Sequence, residues 1–270
     1  MDIKLLALDL DGTLLTNDKF ITETTADTLR AVADKGIPVV ITTGRLVNEC
    51  RRFIGSLPMV QYGVFCTGAL VRDLHSGETL AERTVSGTEA RRLVKLLDGI
   101  DIQYHIHDPA DDRTHAAANK LTGGYLGICM DEVLSYTVPE PDFAAYLASR
   151  EKVYKIFMGF RSMEDIKEAQ RRLAKEPYEV VMPGPECLEI NPAASGKDVG
   201  LQTIAEKFSI KKEQIMAIGD SDNDLPLLRY AGLPVCMANG SETAKACAAV
   251  ITEEDNDHDG AAKFIRSVLL

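Results

Sequence analysis

The chain predicts an α/β fold: a Rossmann-like, doubly wound parallel sheet with an inserted α+β cap. Four short apolar runs end in Gly, hydroxyl or carboxylate residues. They are Ile3 to Leu8 before Asp9-Leu10-Asp11-Gly12-Thr13, Gly36 to Ile41 before Thr42-Thr43-Gly44-Arg45, Gln61 to Phe65 before Cys66-Thr67-Gly68-Ala69, and Ile215 to Ile218 before Gly219-Asp220-Ser221-Asp222-Asn223-Asp224. Runs of this kind read as buried parallel strands, whose carboxyl ends line a common crevice in open α/β sheets. Segments of helical spacing alternate with these runs near both ends of the chain, and a middle stretch follows a different rhythm. That pattern places a core over residues 1-83 and 189-270 and an inserted cap over 84-188.

The elements follow in order. Ala26, Leu29, Val32 and Ala33 have helical spacing between Thr22 and Lys35, and Gly36 stops that helix. A second helix follows Arg45, and the strand through Phe65 leads to Gly68. Asp73 to Glu78 reads as a hairpin turn. Ser86 and Glu89 form a capping box for a helix that turns Ala90, Leu93, Val94 and Leu97 inward. A short strand at Ile102 to Ile106, a turn at Gly123-Gly124, an alternating strand at Val153 to Phe160 and a helix from Ser162 to Leu173 complete the insertion. From Gly196 the alternation resumes. A helix carries Leu201, Ile204, Ala205 and Phe208, and the strand at Ile215 precedes a helix through Leu225 and Leu228. A strand at Pro234 to Met237, a helix near Ser241 to Ala248, a strand at Val250-Ile251 and a final helix close the chain.

With 270 residues, 45% of them hydrophobic, the chain can bury a sizeable core. A net charge of -11 without any Lys or Arg run excludes a nucleic-acid footprint. Six scattered cysteines in apolar context, with no Cys-x-x-Cys pair, read as core hydrophobes of a reducing compartment. Asp2 and Lys4 break any secretory core at the amino terminus, and polar residues interrupt the uncharged stretch from Ile54 to Val71. The expectation is a cytoplasmic protein, a monomer or small homo-oligomer, with a small-molecule partner and no membrane.

The strand ends assemble four carboxylates (Asp9, Asp11, Asp220, Asp224), the Thr43 hydroxyl and Lys197 at a helix start. Asp9 and Asp11 share one side of an extended backbone, where like charges need a cation or a shared proton. Oxygen ligands without a His or Cys cluster favour Mg2+ over zinc or copper. Such a site suits a phosphoryl group, whose oxygens need positive charge and donors, and Asp can serve as nucleophile. Arg45 is open to a structural pairing or a substrate contact. His105 and His107 alternate on one strand face with Asp108 and His115 nearby; a solvated strand or a substrate-facing cap surface outweighs a zinc site there. Asp222 reads as a solvated turn residue.

Asp9-Leu10-Asp11-Gly12-Thr13, Thr42-Thr43-Gly44-Arg45, Lys197 and Gly219-Asp220-Ser221-Asp222-Asn223-Asp224 resemble the four motifs of the haloacid dehalogenase-like hydrolases, and the cap resembles that of the Cof-type sugar phosphatases. The resemblance implies that Asp9 attacks phosphorus and that Asp11 is the general acid, then base. It implies Mg2+ held by Asp9, the Asp11 backbone carbonyl and Asp220, with Asp224 steadying them from behind. Leu10, Gly12, Thr43, Gly44, Lys197 and Asn223 are implied contacts to phosphate or substrate. Asp259-Gly260-Ala261-Ala262 resembles the closing element of the family. Two positions depart from the family pattern: Thr67 stands where Asn is common, and Asp198 where Gly commonly follows the Lys. The implied activity is a phosphomonoesterase acting on sugar phosphates. Alternatives are a sugar phosphomutase, a phospho-Asp switch domain and a non-catalytic sugar-phosphate binder.

Overall fold

The computed structural model describes residues 2–122, 125, 135–183 and 186–270. Their contacts divide them into two compact units. One comprises the described residues of Met1–Arg45, Cys50–Glu82 and Gly196–Leu270; the other comprises those of Leu46–Glu49 and Arg83–Ser195.

The first unit is built on an eight-stranded sheet. Its strand order is Val250–Ile251, Leu233–Cys236, Ile215–Gly219, Leu5–Asp9, Val39–Thr42, Val60–Phe65, Leu70–Asp73 and Thr79–Glu82. The first six are parallel and the last two pair antiparallel. Every residue of Leu5–Asp9 is buried, as expected of a strand covered on both faces. Leu5, Ala7, Val40, Val64 and Ala217 share one core cluster with Leu201, Ile204 and Ala205 of the helix Lys197–Lys207. Phe208 ends that helix at the surface and rests edge-on against Tyr62, with ring centroids 5.3 Å apart.

Local chemistry explains the element ends. Thr22 caps the helix Glu23–Asp34 by accepting from Thr25 N at 3.0 Å, and Gly36 follows it with φ +78. The hairpin turn after Leu70–Asp73 is held by the Asp73 carboxylate, which accepts from His75 N at 2.9 Å and Ser76 N at 3.1 Å. Ser86 caps the helix Gly87–Leu96 by accepting from Glu89 N at 3.2 Å. The expected capping box is only half made: the Glu89 carboxylate accepts from Arg92 Nε at 2.9 Å and from the Tyr178 hydroxyl instead.

The second unit contains a six-stranded sheet in the order Glu179–Val181, Cys187–Asn191, Lys155–Phe160, Ile102–Asp108, Arg113–Ala117 and Thr137–Glu140. All pairs are antiparallel except the last. Ile102, Ile106, Ile156, Met158, Phe160, Leu188 and Ile190 bury one face of this sheet with Ala90, Leu93 and Leu97 of the helix Gly87–Leu96 and Ile166, Ala169 and Leu173 of the helix Met163–Leu173. The expected strand from Val153 to Phe160 is two pieces. Lys152–Val153 pairs with Val85–Ser86, and Lys155–Phe160 joins the main sheet. Its burial does not alternate, because both faces are covered.

Cys50, Cys66, Cys187, Cys236 and Cys247 are free thiols. Cys129 and the expected turn at Gly123-Gly124 lie outside the described residues. Among the described residues no helix is long and apolar enough to cross a membrane.

Candidate active site

Asp9 is the last residue of its strand and is 5% exposed. The chain then turns tightly, with Leu14 N and Leu15 N both donating to Leu10 O. Gly12 has φ +75, and a Cβ there would stand 2.5 Å from Asp220 Oδ2, so no larger residue fits. Thr13 Oγ1 donates to Asp220 Oδ1 at 3.2 Å, and Asn239 Nδ2 donates to Gly12 O at 2.8 Å. These contacts tie the Asp9 turn to the loops that follow Ile215–Gly219 and Leu233–Cys236.

Lys197 stands at the first position of its helix, 1% exposed. Its ammonium donates to Asp9 Oδ1 at 2.6 Å, Asp224 Oδ1 at 2.6 Å and Asn223 Oδ1 at 3.3 Å. The other Asp224 oxygen accepts from Asp220 N at 3.0 Å and Ser221 N at 3.1 Å. Asp224 is therefore consumed in fixing the loop, behind Asp9 and Asp220. The start of this helix comes close to the third strand end. A Cβ on Gly68, at φ +90, would lie 2.0 Å from Gly196 O. Thr67 adopts φ 54 in the same turn, and its N donates to Thr43 O at 3.1 Å.

Thr43 is 1% exposed and follows Thr42, which pairs with Asp9. Its hydroxyl accepts from Arg45 N at 3.2 Å across half-buried Gly44. Asp222 is exposed and accepts from Ser241 Oγ at 2.7 Å.

Oxygens of Asp9, Asp220 and Asp224 lie within 4.8 Å of one another, an arrangement that could hold a metal ion. Burial raises the Asp9 carboxyl well above its ordinary range; Asp224 adds to the shift and Lys197 opposes it. Asp220 is pushed up to about 7, by burial first and the Asp224 charge second. Burial alone would lower the Lys197 ammonium, but Asp224 and Asp9 hold it raised and charged. One buried cation among three carboxylates leaves negative charge uncompensated.

Stability of the metal-free protein should reflect this. Asp220 binds its proton more tightly folded than unfolded, so its contribution is present below its ordinary pKa of 3.8 and is lost as pH rises to about 7. Asp9 has the same sign. In EDTA the melting temperature should fall between about pH 4 and about pH 7. Asp220→Asn should flatten that fall; an unchanged slope would contradict the assignment.

Asp11 has the opposite environment. Arg45 Nε and Nη2 donate to its two oxygens at 2.6 and 2.7 Å, and Lys19 Nζ donates to Oδ1 at 2.8 Å. Burial would raise the Asp11 carboxyl, but these two cations hold it far below the usual carboxylate range. Its acid-side loss of stability lies below the window above. Arg45 thus makes an ion pair with Asp11. Lys19, at φ 60, was not singled out by any sequence pattern, nor was Asn239.

In the second unit, His105 and His107 are 2% and 6% exposed, which corrects the expectation of a solvated strand. Burial pushes His105 down to about 4; burial, then Lys155 and His105, hold His107 well below its ordinary value. His115 stands apart from them, with Nδ1 2.6 Å from Glu140 Oε1 and Nε2 3.0 Å from Asp111 Oδ2.

Comparison with known proteins places these features. A family model described as haloacid dehalogenase-like hydrolase matches residues 6–265. The 5-amino-6-(5-phospho-D-ribitylamino)uracil phosphatase YcsE of Bacillus subtilis is 30% identical over 274 residues, covering 100% of this chain and 97% of that protein. The pyridoxal phosphate phosphatase YbhA of Escherichia coli is 26% identical over 286 residues, covering 100% of each. A solved haloacid dehalogenase-like hydrolase from Bacteroides thetaiotaomicron matches with a TM-score of 0.84 and 25% identity, over 98% of this chain and 99% of that one.

Proposed function

Because the chain belongs to the haloacid dehalogenase-like hydrolases, we propose that it is a Mg2+-dependent phosphomonoesterase working through an aspartyl-phosphate on Asp9. Its substrates are small soluble phosphate esters, sugar phosphates foremost. The observation that carries this reading is the buried Lys197–Asp9 contact. Lys197 fixes Asp9 Oδ1 at 2.6 Å, and Asp9 Oδ2 accepts no hydrogen bond among the described residues. One oxygen is thereby oriented and the other is left to attack.

The donor set fits Mg2+, being all oxygen, crowded and short of positive charge. Asp9, Asp220 and the Asp11 backbone carbonyl would hold it. When bound, it supplies positive charge for the phosphoryl oxygens.

In the first step Asp9 Oδ2 forms a bond to phosphorus, the ester P–O bond breaks, and Asp11 gives its proton to the leaving oxygen. In the second, Asp11 takes a proton from water, whose oxygen bonds phosphorus as the bond to Asp9 breaks. In the ligand-free chain Asp11 is held as an anion by Arg45 and Lys19. Its acid role therefore requires that a bound dianionic ester draw those cations away. Thr43 and Lys197, with backbone amides near Leu10, Gly12 and Gly44, receive the phosphoryl oxygens, while Asn223 orients Lys197. The second unit is assigned the selection of substrates.

The relatives named above are phosphatases for a ribityl phosphate and for pyridoxal phosphate, both small monoesters. That spread supports the class of reaction rather than one alcohol. The test is phosphate release from a panel of sugar phosphates, nucleotides and pyridoxal phosphate. Turnover with Mg2+ that EDTA abolishes, and that added Mg2+ restores, is expected. Release undiminished in EDTA would contradict the metal assignment, and no release from any ester would contradict the activity.

A further inference from the structure

Three neighbouring strands of the six-stranded sheet bring polar side chains together at one end of its apolar face. His115 pairs with Ile106, so it stands on the face that Ile106 helps to bury. Asp108 lies two residues beyond Ile106, and Glu140 two beyond Val138, the partner of His115, so both share that face. Asp111, in the turn between Ile102–Asp108 and Arg113–Ala117, reaches the same spot. Oxygen and nitrogen atoms of Asp108, Asp111 and His115 lie within 4.8 Å of one another. His105 and His107 take no part, being on the opposite face.

The His115 imidazole is 6% exposed and stacks on the Tyr146 ring, with centroids 4.6 Å apart. Its Nδ1 lies 2.6 Å from Glu140 Oε1, and its Nε2 lies 3.0 and 3.2 Å from the two Asp111 oxygens. A neutral imidazole has a single N–H. Once Nδ1 donates it to Glu140, the Nε2 lone pair faces the lone pairs of Asp111, and a buried contact of that kind needs positive charge between the two. A second ring proton or a metal ion can supply it.

Charge and geometry favour the metal ion. Asp108 Oδ2 accepts from Arg150 Nη1 and from the Tyr146 hydroxyl, both at 2.9 Å, so this carboxylate already has a cation. Asp111 and Glu140 remain, and their two negative charges match a divalent ion, whereas a proton would leave one over. Bonds of about 2.0–2.2 Å to nitrogen and oxygen place adjacent ligand atoms about 3.0–3.5 Å apart. The separations between Nε2 and the Asp111 oxygens are of that size. Glu140 then stands where a carboxylate fixes the tautomer of a metal-bound histidine. Asp108 Oδ1 accepts from Ala110 N at 2.8 Å and keeps a lone pair for the ion. A cavity of about 560 Å³, with His115, Glu140 and Arg150 in its wall, gives an approach from solvent. One nitrogen with carboxylate oxygens suits zinc and its transition-metal neighbours better than Mg2+, which takes oxygen alone.

We propose that Asp108, Asp111 and His115 form a further metal site, for a divalent transition-metal ion of which zinc is the type, with Glu140 orienting the histidine. The site lies wholly within the second unit and does not depend on the phosphatase reading.

The experiment uses full-length Asp220→Asn protein, whose active-site cluster lacks one carboxylate, with excess Mg2+ present throughout. Equilibrium dialysis against Zn2+, read by elemental mass spectrometry, should count one zinc per chain. Adding Asp111→Asn or His115→Gln should weaken that binding by at least about tenfold, and adding Glu140→Gln by about 10- to 100-fold. Asp111 is exposed on a turn, so Asp111→Asn leaves the fold intact. Zinc should raise the melting temperature of the Asp220→Asn protein and not that of the Asp220→Asn/Asp111→Asn protein. Absence of zinc from the Asp220→Asn protein would overturn the proposal and leave His115 as an imidazolium between two carboxylates. Zinc held undiminished after either Asp111→Asn or His115→Gln is added would overturn it as well, by placing the ion elsewhere.

Discussion

Asp9→Asn protein is expected to release phosphate at least on the order of 10^4-fold more slowly than wild type, as expected when a nucleophile is removed. The loss should appear with every ester, good leaving group or poor, because the substitution removes the atom that attacks rather than a group that assists departure. Folding should not suffer. The amide oxygen can still accept from Lys197, and one of three crowded carboxylates is gone. The metal-free variant should therefore melt no lower than wild type at about pH 8, because a carboxylate that crowds Asp220 and Asp224 is gone. Thermal melts alongside phosphate assays check both halves. Turnover within tenfold of wild type would refute the nucleophile, and a large drop in melting temperature would show that Asp9 is structural.

The second large effect is on Lys197. Its ammonium is fully buried between Asp9 and Asp224, so Lys197→Met leaves two buried carboxylates without their cation. Removing one partner of a buried ion pair typically costs about 3–5 kcal/mol. The carboxylates can escape part of that cost by taking up protons. Urea denaturation in EDTA should therefore show the full penalty near pH 8 and a smaller one near pH 5. Activity should be lost at both, since nothing then orients Asp9 or offsets its charge toward an incoming phosphate dianion. A penalty independent of pH would contradict this account of the cluster.

Much of this cluster can be read from the chain because parallel strands buried on both faces are continuous apolar runs, and each is followed by a polar residue of the candidate site. Asp9, Thr43 and Asp220 are found that way, and Lys197 by its place at a helix start after the inserted stretch. The Gly12 and Gly68 turns are legible for a related reason, since each sits where a Cβ would collide with Asp220 or Gly196. The second unit resists such reading. Cys187–Asn191 and Arg113–Ala117 are buried strands that carry Glu189, Asn191, Thr114 and His115, so apolar alternation does not announce them. His105 and His107 look like surface residues for the same reason. The Asp11 clamp also escapes sequence reasoning: Lys19 reaches back eight residues from a left-handed position with no motif around it. Glu89 shows the limit of a correct local pattern, its carboxylate having been taken by Arg92 and Tyr178.

The most direct test of the central claim is chemical trapping of the phosphorylated Asp9 side chain. Wild type and Asp11→Asn protein are mixed with a sugar phosphate and Mg2+, quenched in acid within one turnover, reduced with borohydride and digested for peptide mass spectrometry. An acyl phosphate is reduced to the alcohol, so residue 9 should be recovered as homoserine, most abundantly in Asp11→Asn, where breakdown of the intermediate is slowed. Unmodified Asp9 at every time point in which phosphate is released would contradict the covalent mechanism.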